Sequence, residues 1–304
     1  MSFFDTVQRW VAEPPPDYLF EITEASLSLV SSRTPSQPRE QVFPERALAV
    51  SPSAPNLVRP EFYRNAFSQL APINNLRRMG AAIVIPDYAV RMTVLDFEEF
   101  PPGEPERNAL IRFRLRKSVP FHIEEAQISY TIQLQKPKRV EVLAVAMAKP
   151  ILNEYETLFT DSGYHVGLVT PSIIAALPLC RTGEPGFTIV AKAAGATLSV
   201  LLLEGTSIRL VRCLSLATVD EEPEVNSGEL TVLDLVQQTL AYAEDQLGAS
   251  VKRLLLCGFG PETDLLGKLA QKDFNIPYGN LRSRFGATSQ ENAGLLGLLE
   301  QYAA

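Results

Sequence analysis

The sequence has few of the side chains that bind metal ions or form disulfides, with two histidines and three cysteines in 304 residues. His122 and His165 do not stand at metal-ligand spacing with a cysteine or a paired carboxylate, so we expect no zinc or di-metal site. Cys180, Cys213 and Cys257 are far apart, and two of them lie in apolar runs. This pattern is typical of buried thiols in a reducing compartment.

Basic charge is also scarce. Lys and Arg total 28 against 35 Asp and Glu, which gives a net charge of -7. That is the wrong sign for broad capture of nucleic acid or of an anionic membrane. No run of about 18 apolar residues occurs, and no basic region leads into an apolar stretch at the N-terminus, so we expect neither a membrane span nor a signal peptide. Nucleic acid is therefore not an expected partner, and any membrane role is indirect.

Sequence motifs of common enzyme classes are missing as well. The chain contains no G-x-S-x-G, H-E-x-x-H or Walker A sequence, which are the signatures of α/β-hydrolases, zinc proteases and P-loop NTPases. The adjacent glutamate pairs at 98–99, 124–125 and 221–222 point apart in regular structure, so solvated charge is their expected role. We therefore expect no catalytic residue.

The hydrophobic pattern predicts about two α/β domains, at roughly 150 residues per domain. In the first half of the chain, the pattern predicts a short amphipathic helix at 3–11, a strand pair within 18–30, irregular chain at 31–60, a helix at 61–78 and a buried strand at 81–85. Next come a strand at 88–97, a basic helix at 106–118, strands at 126–135 and 139–148, and a helix that stops at 161–163. The second half predicts strands at 187–192, 196–204, 207–214 and 253–257, with helices at 229–247 and 292–302.

Three segments in this order resemble the PilM family of type IV pilus assembly proteins. They are VIPDYAVRMTVLDFEEFPP, ALIRFRLRKSVPFHIEEAQISYTIQ and VEVLAVAMAKPILNEYETLFTDSGYHVGLVTPSIIAAL. The resemblance implies an α/β, actin-like (ribonuclease H-like) two-domain fold with an inserted α+β subdomain, similar to FtsA. On this basis residues 1–86 and 150–184 form domain 1, 87–149 the inserted subdomain, 185–285 domain 2, and 286–304 a helix that returns to domain 1.

The resemblance also implies a nucleotide site, with ATP and Mg²⁺ as the family's ligands. The family's first hairpin is similar to Asp-Ile-Gly-Ser followed by a Lys, whereas this chain has Glu21-Ile22-Thr23-Glu24 before Ser28. Thr23 has a Cβ where the family has a glycine, and Glu24 adds a negative charge. Both changes oppose phosphate binding. We expect a degenerate site without a bound cofactor, formed by Glu21, Thr23, Ser28, Lys192, Gly195, Thr197, Gly258 and Gly260.

In the second hairpin, Val190-Ala191-Lys192 or its one-residue neighbour replaces the family's Asp-Ile-Gly, so no metal-positioning carboxylate is expected there. Lys192 could meet a phosphate as a point charge, although an exposed lysine at a strand end is the commoner arrangement. Gly258 and Gly260 keep the small residues of the turn that borders adenosine in actin-fold proteins. A Gly-x-Gly turn can also be purely structural.

For partners, the resemblance implies the N-terminal cytoplasmic peptide of a PilN-like inner-membrane protein, together with other pilus assembly proteins. A groove beside the inserted subdomain is the implied receptor. We expect Arg112, Arg116, Pro120 and Phe121 to line it, because they lie on and after the basic helix. The alternative is that this helix and Phe121 simply pack within their own subdomain.

The resulting hypothesis is a non-enzymatic cytoplasmic scaffold, peripheral to the inner membrane through its partner. Two alternatives stay open: an active actin-fold ATPase or kinase, since fold does not fix function, and a GspL-like cytoplasmic domain of a type II secretion system.

Overall fold

The computed structural model describes residues 15–71, 79–180, 185–216 and 227–303. The helix expected at 3–11 and the second part of the helix expected at 61–78 lie outside these ranges. The described strands are β1 Tyr18–Ile22, β2 Ser26–Ser31, β3 Arg39–Val42, β4 Met79–Ile85, β5 Arg91–Phe97, β6 Ala126–Lys136, β7 Arg139–Ala148, β8 Tyr164–Pro171, β9 Phe187–Ala194, β10 Thr197–Glu204, β11 Ser207–Ser215, β12 Val251–Cys257 and β13 Tyr278–Asn280. The described α-helices are α1 Pro60–Leu70, α2 Glu104–Leu115, α3 Lys149–Asp161, α4 Ser172–Ala175, α5 Ser227–Leu247, α6 Thr263–Phe274 and α7 Ala293–Tyr302.

Two five-stranded sheets of the described chain have the same topology. The first runs β3-β2-β1-β4-β8 and the second β11-β10-β9-β12-β13. In each sheet the first three strands are antiparallel, the central strand pairs in parallel with a later strand, and that strand pairs in parallel with the last one. The second half of the chain therefore repeats the fold of the first half, a duplication that the sequence pattern did not reveal.

Alternation along the central strand assigns the two faces of the first sheet. The Phe20 side chain packs against Phe67 of α1 and Phe159 of α3, with ring centroids 5.7 and 5.1 Å away. The Leu19 side chain points to the opposite face, where it packs in a cluster with Leu295 of α7. Both faces are thus buried, as expected for a sheet with parallel strands.

The second sheet is also covered on both sides. Ile189 and its neighbours on one face pack with α5 and α6. On the other face Val190 packs with Ile173, which follows β8, and with Leu143 of β7. The inner face of the second sheet therefore packs on α4 and the insertion, whereas the inner face of the first sheet packs on α4 and α7 in a separate cluster.

The insertion between β4 and α3 is a three-stranded sheet, β5-β7-β6, covered by α2 through Ile111 and Leu115. It is also fastened to the second domain. The Gln133 side chain exchanges two hydrogen bonds with the backbone of Ile208 on β11, at 2.8 and 2.7 Å, and Arg209 forms an ion pair with the buried Glu141. The insertion thus contacts both halves of the duplicated fold.

The last helix, α7, returns to the first domain and packs against α4. Glycine is required at this contact, because a Cβ on Gly297 would collide with the carbonyl oxygen of Ala175. Within the described ranges, no helix is long and apolar enough to cross a bilayer.

Replacing Gly297 by Ala tests this contact. Alanine favours a helix by about 1 kcal/mol over glycine, but the collision should outweigh that gain and lower the free energy of unfolding by about 1 to 3 kcal/mol. The matched control is Gln301→Ala, on an exposed turn of the same helix. Urea unfolding of both variants measures the effect, and a Gly297→Ala protein as stable as the parent would contradict the packing.

Candidate functional site

The first domain begins with the β1–β2 hairpin and the second with the β9–β10 hairpin. The two hairpins face each other across the cleft between the domains, and their strand registers identify equivalent positions. Glu21 pairs with Ser28 across β1 and β2. Lys192 pairs with Ser199 across β9 and β10. The duplicated topology therefore places an acid in one hairpin opposite a base in the other. By this register Lys192-Ala193-Ala194 stands where the first hairpin has Glu21-Ile22-Thr23, two residues beyond Val190-Ala191-Lys192, so the alignment expected from the sequence was wrong.

Glu21 is fully buried and holds the start of α7. One carboxylate oxygen accepts a hydrogen bond from the Leu295 amide at 2.7 Å, and the other accepts one from the Ser172 hydroxyl. A carboxylate at a helix N-terminus satisfies free amides and meets the favourable end of the helix dipole. Burial raises the pKa of Glu21, against the opposing effects of Lys192 and these two hydrogen bonds. Glu21 therefore has a structural role in this cleft.

Lys192 is buried, so the expected exposed strand-end position was wrong. Its side chain is 0% exposed, because it points to the inner face of β9, which the first domain covers. Its Nζ lies 3.6 Å from Oδ2 of Asp87. Burial acts to lower the Lys192 pKa, but the charges of Asp87 and Glu21 together outweigh it, and the pKa is raised. Lys192 is therefore a charged group buried between the two domains.

Asp87 joins the two domains and was missed by the sequence analysis. It lies two residues after the end of β4, and its Oδ1 accepts a hydrogen bond from the Ile173 amide at 2.7 Å within its own domain. Its Oδ2 accepts one from the Ser199 hydroxyl of the second domain at 2.9 Å. A signal was present, since polar residues at the carboxyl ends of parallel strands commonly form sites. We call Glu21, Asp87, Ser172, Lys192 and Ser199 the cleft cluster.

A second contact across the cleft joins the hairpin turns. An oxygen of the Glu24 carboxylate accepts a hydrogen bond from the Ala196 amide at 3.0 Å. Gly195 has a φ of +55°, and a Cβ there would lie 2.6 Å from this carboxylate. Arg46 forms an ion pair with the same side chain at 3.3 Å. The turn amide that could approach an anion is thus already bound to a carboxylate of the chain.

The other predicted nucleotide-site residues lie in or near these hairpins. Thr23 closes the first turn through a 2.9 Å hydroxyl contact with Ser26. Ser28 and Thr197 are buried on strands of the two hairpins. Among the described residues, the Ser28 hydroxyl has no hydrogen-bond partner. The structure therefore brings the hairpin residues together, but around side chains of the protein itself.

The glycine turn after β12 borders a separate cavity of about 290 Å³. Gly258 has a φ of +84° and approaches the carbonyl oxygen of Ala193 too closely for any side chain. Gly260 has a φ of +54° and lines the same cavity, together with Asn280 and Glu291. Close packing against β9 explains Gly258 without a ligand.

The residues of the cleft do not fit a magnesium-bound triphosphate. A triphosphate needs free turn amides and a carboxylate that holds the metal. Here Glu24 is bound to the Ala196 amide, and Lys192 stands at the position equivalent to Glu21. No cluster of His, Cys, Asp or Glu suited to a metal ion exists within the described ranges.

The four residues expected to line a peptide groove do not come together. Arg112 donates hydrogen bonds to the carbonyl oxygens of Ile123 and Ala126, and so holds the turn after α2. Arg116 forms an exposed ion pair with Glu124 at 2.7 Å. Other arginines of this helix lie over aromatic rings of the same subdomain, Arg107 over Phe100 and Arg114 over Phe97. The basic side chains of α2 are thus engaged within the insertion.

Pro120 and Phe121 line a depression of about 470 Å³ between the insertion and the first domain, with Pro55 and Glu154 on its far side. Neither Arg112 nor Arg116 belongs to its described lining. The walls come mainly from loops and the start of α3. We call this the Phe121 depression.

A second groove, of about 530 Å³, lies on the other side of α3. Its lining includes Gln127 and Ser129 of β6, Met147 of β7, Leu152 of α3 and Leu168 of β8, together with Ile85, Val90, Val145, Lys149, Asn153, Glu156, Val166, Gly167, Val169 and Pro171. Within the described chain, β8 and β6 are the last strands of their sheets. We call it the β8 groove, and the sequence analysis did not find it.

The raised pKa of Glu21 predicts a pH-dependent stability. Because the folded protein holds this proton more tightly than the unfolded chain, the contribution of Glu21 to the free energy of unfolding should be fully present below the ordinary value of 4.5 and be lost as the pH rises through the folded pKa. Glu21→Gln, which keeps the shape, should remove this contribution, at most about 1.4 kcal/mol per pH unit. Urea unfolding from pH 4.5 to 8 measures it, and identical pH profiles for both proteins would contradict it.

Comparison with known proteins establishes the fold. No protein-family model and no curated protein sequence matches the chain. The solved PilM-PilN type IV pilus biogenesis complex contains a chain with a TM-score of 0.75 at 16% identity, over 96% of this chain and 100% of that one. A Bacteroides thetaiotaomicron protein with an actin-like ATPase fold and unknown function gives 0.55 at 13% identity, over 97% and 98%. The cytoplasmic domain of EpsL, an inner-membrane component of the Vibrio cholerae type II secretion system, gives 0.50 at 12% identity, over 94% and 93%. The predicted actin-like α/β fold is confirmed, and at the level of the fold the chain matches PilM.

Proposed function

We propose that the protein is a non-enzymatic scaffold of a type IV pilus assembly machine, or of a related envelope machine. In this proposal it works in the cytoplasm and is held at the inner membrane by a PilN-like protein. The observation that carries it is the likeness of nearly the whole chain to one chain of a PilM-PilN complex. PilN is named as a component of that solved complex, and this chain shares the fold of the chain that it matches there.

The β8 groove is the best receptor for an extended peptide from such a partner. An edge strand offers unpaired backbone groups to which a peptide can add as a further strand. Leu168 on β8 is 36% exposed, and apolar side chains such as Met147 and Leu152 form the walls. The groove therefore combines backbone partners with apolar pockets. The Phe121 depression, which is built mainly from loops, lacks that combination within its described lining.

The state of the cleft supports a role without catalysis. Turn amides and charges that would serve a nucleotide are already bound by Glu24, Lys192 and Asp87. The likeness to EpsL favours a second candidate of the same class, a component of a type II secretion system. The structural match is weaker there, so we place it second.

Leu168→Glu tests the β8 groove. A charge at this position should weaken binding of the N-terminal peptide of a PilN-like protein at least about tenfold, because it removes an apolar contact from the groove. Isothermal titration of the full chain with the synthetic peptide measures the dissociation constant. The matched control is Leu265→Glu on α6, since Leu265 is also an exposed leucine, at 47%.

Two outcomes would overturn parts of this proposal. If Phe121→Ala or Arg116→Ala weakens the peptide while Leu168→Glu does not, the site expected from the sequence is correct and the β8 groove is wrong. If a folded, monodisperse parent protein binds no PilN-like peptide, the pilus assignment itself fails.

The non-enzymatic role predicts no response to nucleotide. A ligand at 100 times its Kd stabilises a protein by about 2.7 kcal/mol, a shift of several degrees in Tm. We expect 1 mM Mg-ATP to change the Tm by less than about 1 °C, because the cleft is occupied by the chain's own side chains. A larger shift together with phosphate release would instead favour the active ATPase.

A further inference from the structure

The contacts across the cleft are made by charged and polar side chains that are buried in the folded protein. Asp87 is 2% exposed, Lys192 is 1% exposed and Glu24 is 8% exposed. Lys192 and Ser199 of the second domain both reach Asp87 of the first. Glu24 of the first domain reaches the Ala196 amide of the second. Two acids of the first domain thus meet a cation and a backbone donor of the other.

The burial of these groups makes their pairing specific to one orientation of the domains. A buried ion pair adds little net stability, but a buried charge without its partner is strongly unfavourable. Within the described chain, the Lys192 ammonium has no hydrogen-bond partner, and its nearest anionic atom is Oδ2 of Asp87. The charge of Lys192 can therefore be buried without a large penalty only while Asp87 of the first domain lies beside it.

The geometry of the turns has the same consequence. The left-handed conformation of Gly195 exposes the Ala196 amide to the first domain, and such turns are anion-binding concavities. The anion that binds here is the Glu24 carboxylate, which Arg46 also contacts. The anion at this turn is therefore the Glu24 carboxylate, and the cation on the strand that leads into the turn is Lys192.

We propose that Glu24, Asp87 and Lys192 form a built-in lock that holds the two domains closed over the cleft without any bound ligand. Glu24 takes the place of a ligand anion on the second hairpin, and Lys192 takes the place of a cation between the acids of the first domain. The lock does not depend on the proposed peptide partner. It makes the closed arrangement the constant state of the protein.

The ion pair is tested with Lys192→Met, Asp87→Asn and the double variant. Lys192→Met leaves Asp87 buried without its cation, so we expect the Tm to fall by about 5 to 10 °C and the radius of gyration from X-ray scattering to rise. Adding Asp87→Asn removes the stranded charge and keeps polar contacts for Ile173 and Ser199. The double variant should therefore regain at least half of the lost Tm and the parent's radius of gyration.

The turn contact is tested with Glu24→Ala by hydrogen exchange of the full chain. We expect the peptide that covers 193–199 to exchange about tenfold faster, because the Ala196 amide loses its acceptor. The control is Glu45→Ala, since Glu45 is exposed and pairs with Arg59 on the surface. The lock is wrong if Lys192→Met matches the parent in Tm and radius of gyration. It is equally wrong if the double variant recovers nothing, or if Glu24→Ala exchanges like Glu45→Ala.

Discussion

The carboxylate of Asp87 is the contact on which the arrangement of the two domains depends. It accepts the Ile173 amide within its own domain and the Ser199 hydroxyl from the other, and it lies beside the Lys192 ammonium. Separation of the domains would break the contacts to Ser199 and Lys192. Because these groups are buried, the inner face of the second sheet can pack on Ile173 of the first domain only when the Asp87 carboxylate finds its partners. The polar contact thus specifies the geometry, while the apolar packing between the domains supplies most of the favourable free energy.

An actin-like fold with this interior need not bind a nucleotide. Catalysis by the fold would require free turn amides and metal-holding carboxylates, whereas this chain has an acid and a base at equivalent positions of its two hairpins. The acidic and basic side chains at these positions therefore balance each other's charge inside the protein, without a metal ion or phosphate. A shared fold and a different interior are compatible, because function depends on the site rather than on the framework around it.

The basic side chains of the insertion are likewise engaged by groups of the protein itself. The arginines of α2 contact carbonyl oxygens and aromatic rings of their own subdomain, and Arg116, which follows α2, pairs with Glu124. The surface that we propose for an extended partner is instead the groove between two edge strands, β8 and β6. Backbone groups and apolar walls, rather than basic side chains, define that surface.

The sequence by itself determined the local elements and, through the PilM-like segments, the fold. Periodicity along β9 or α3 depends only on neighbouring residues, so most helices and strands could be predicted to within a few positions. The expectation of irregular chain at 31–60 was wrong where β3 lies, and β8, α6 and β13 were not predicted. The tertiary structure decided the site. The sequence misplaced Lys192, because the exposure of a strand-end lysine depends on whether another domain covers that face of the sheet. It grouped Arg112 with Phe121, because spacing along a helix does not tell which carbonyl oxygens a guanidinium will meet. Asp87 is separated from Lys192 and Ser199 by about a hundred residues of chain, and only the packing of the two domains brings it within hydrogen-bonding or ion-pair distance of them.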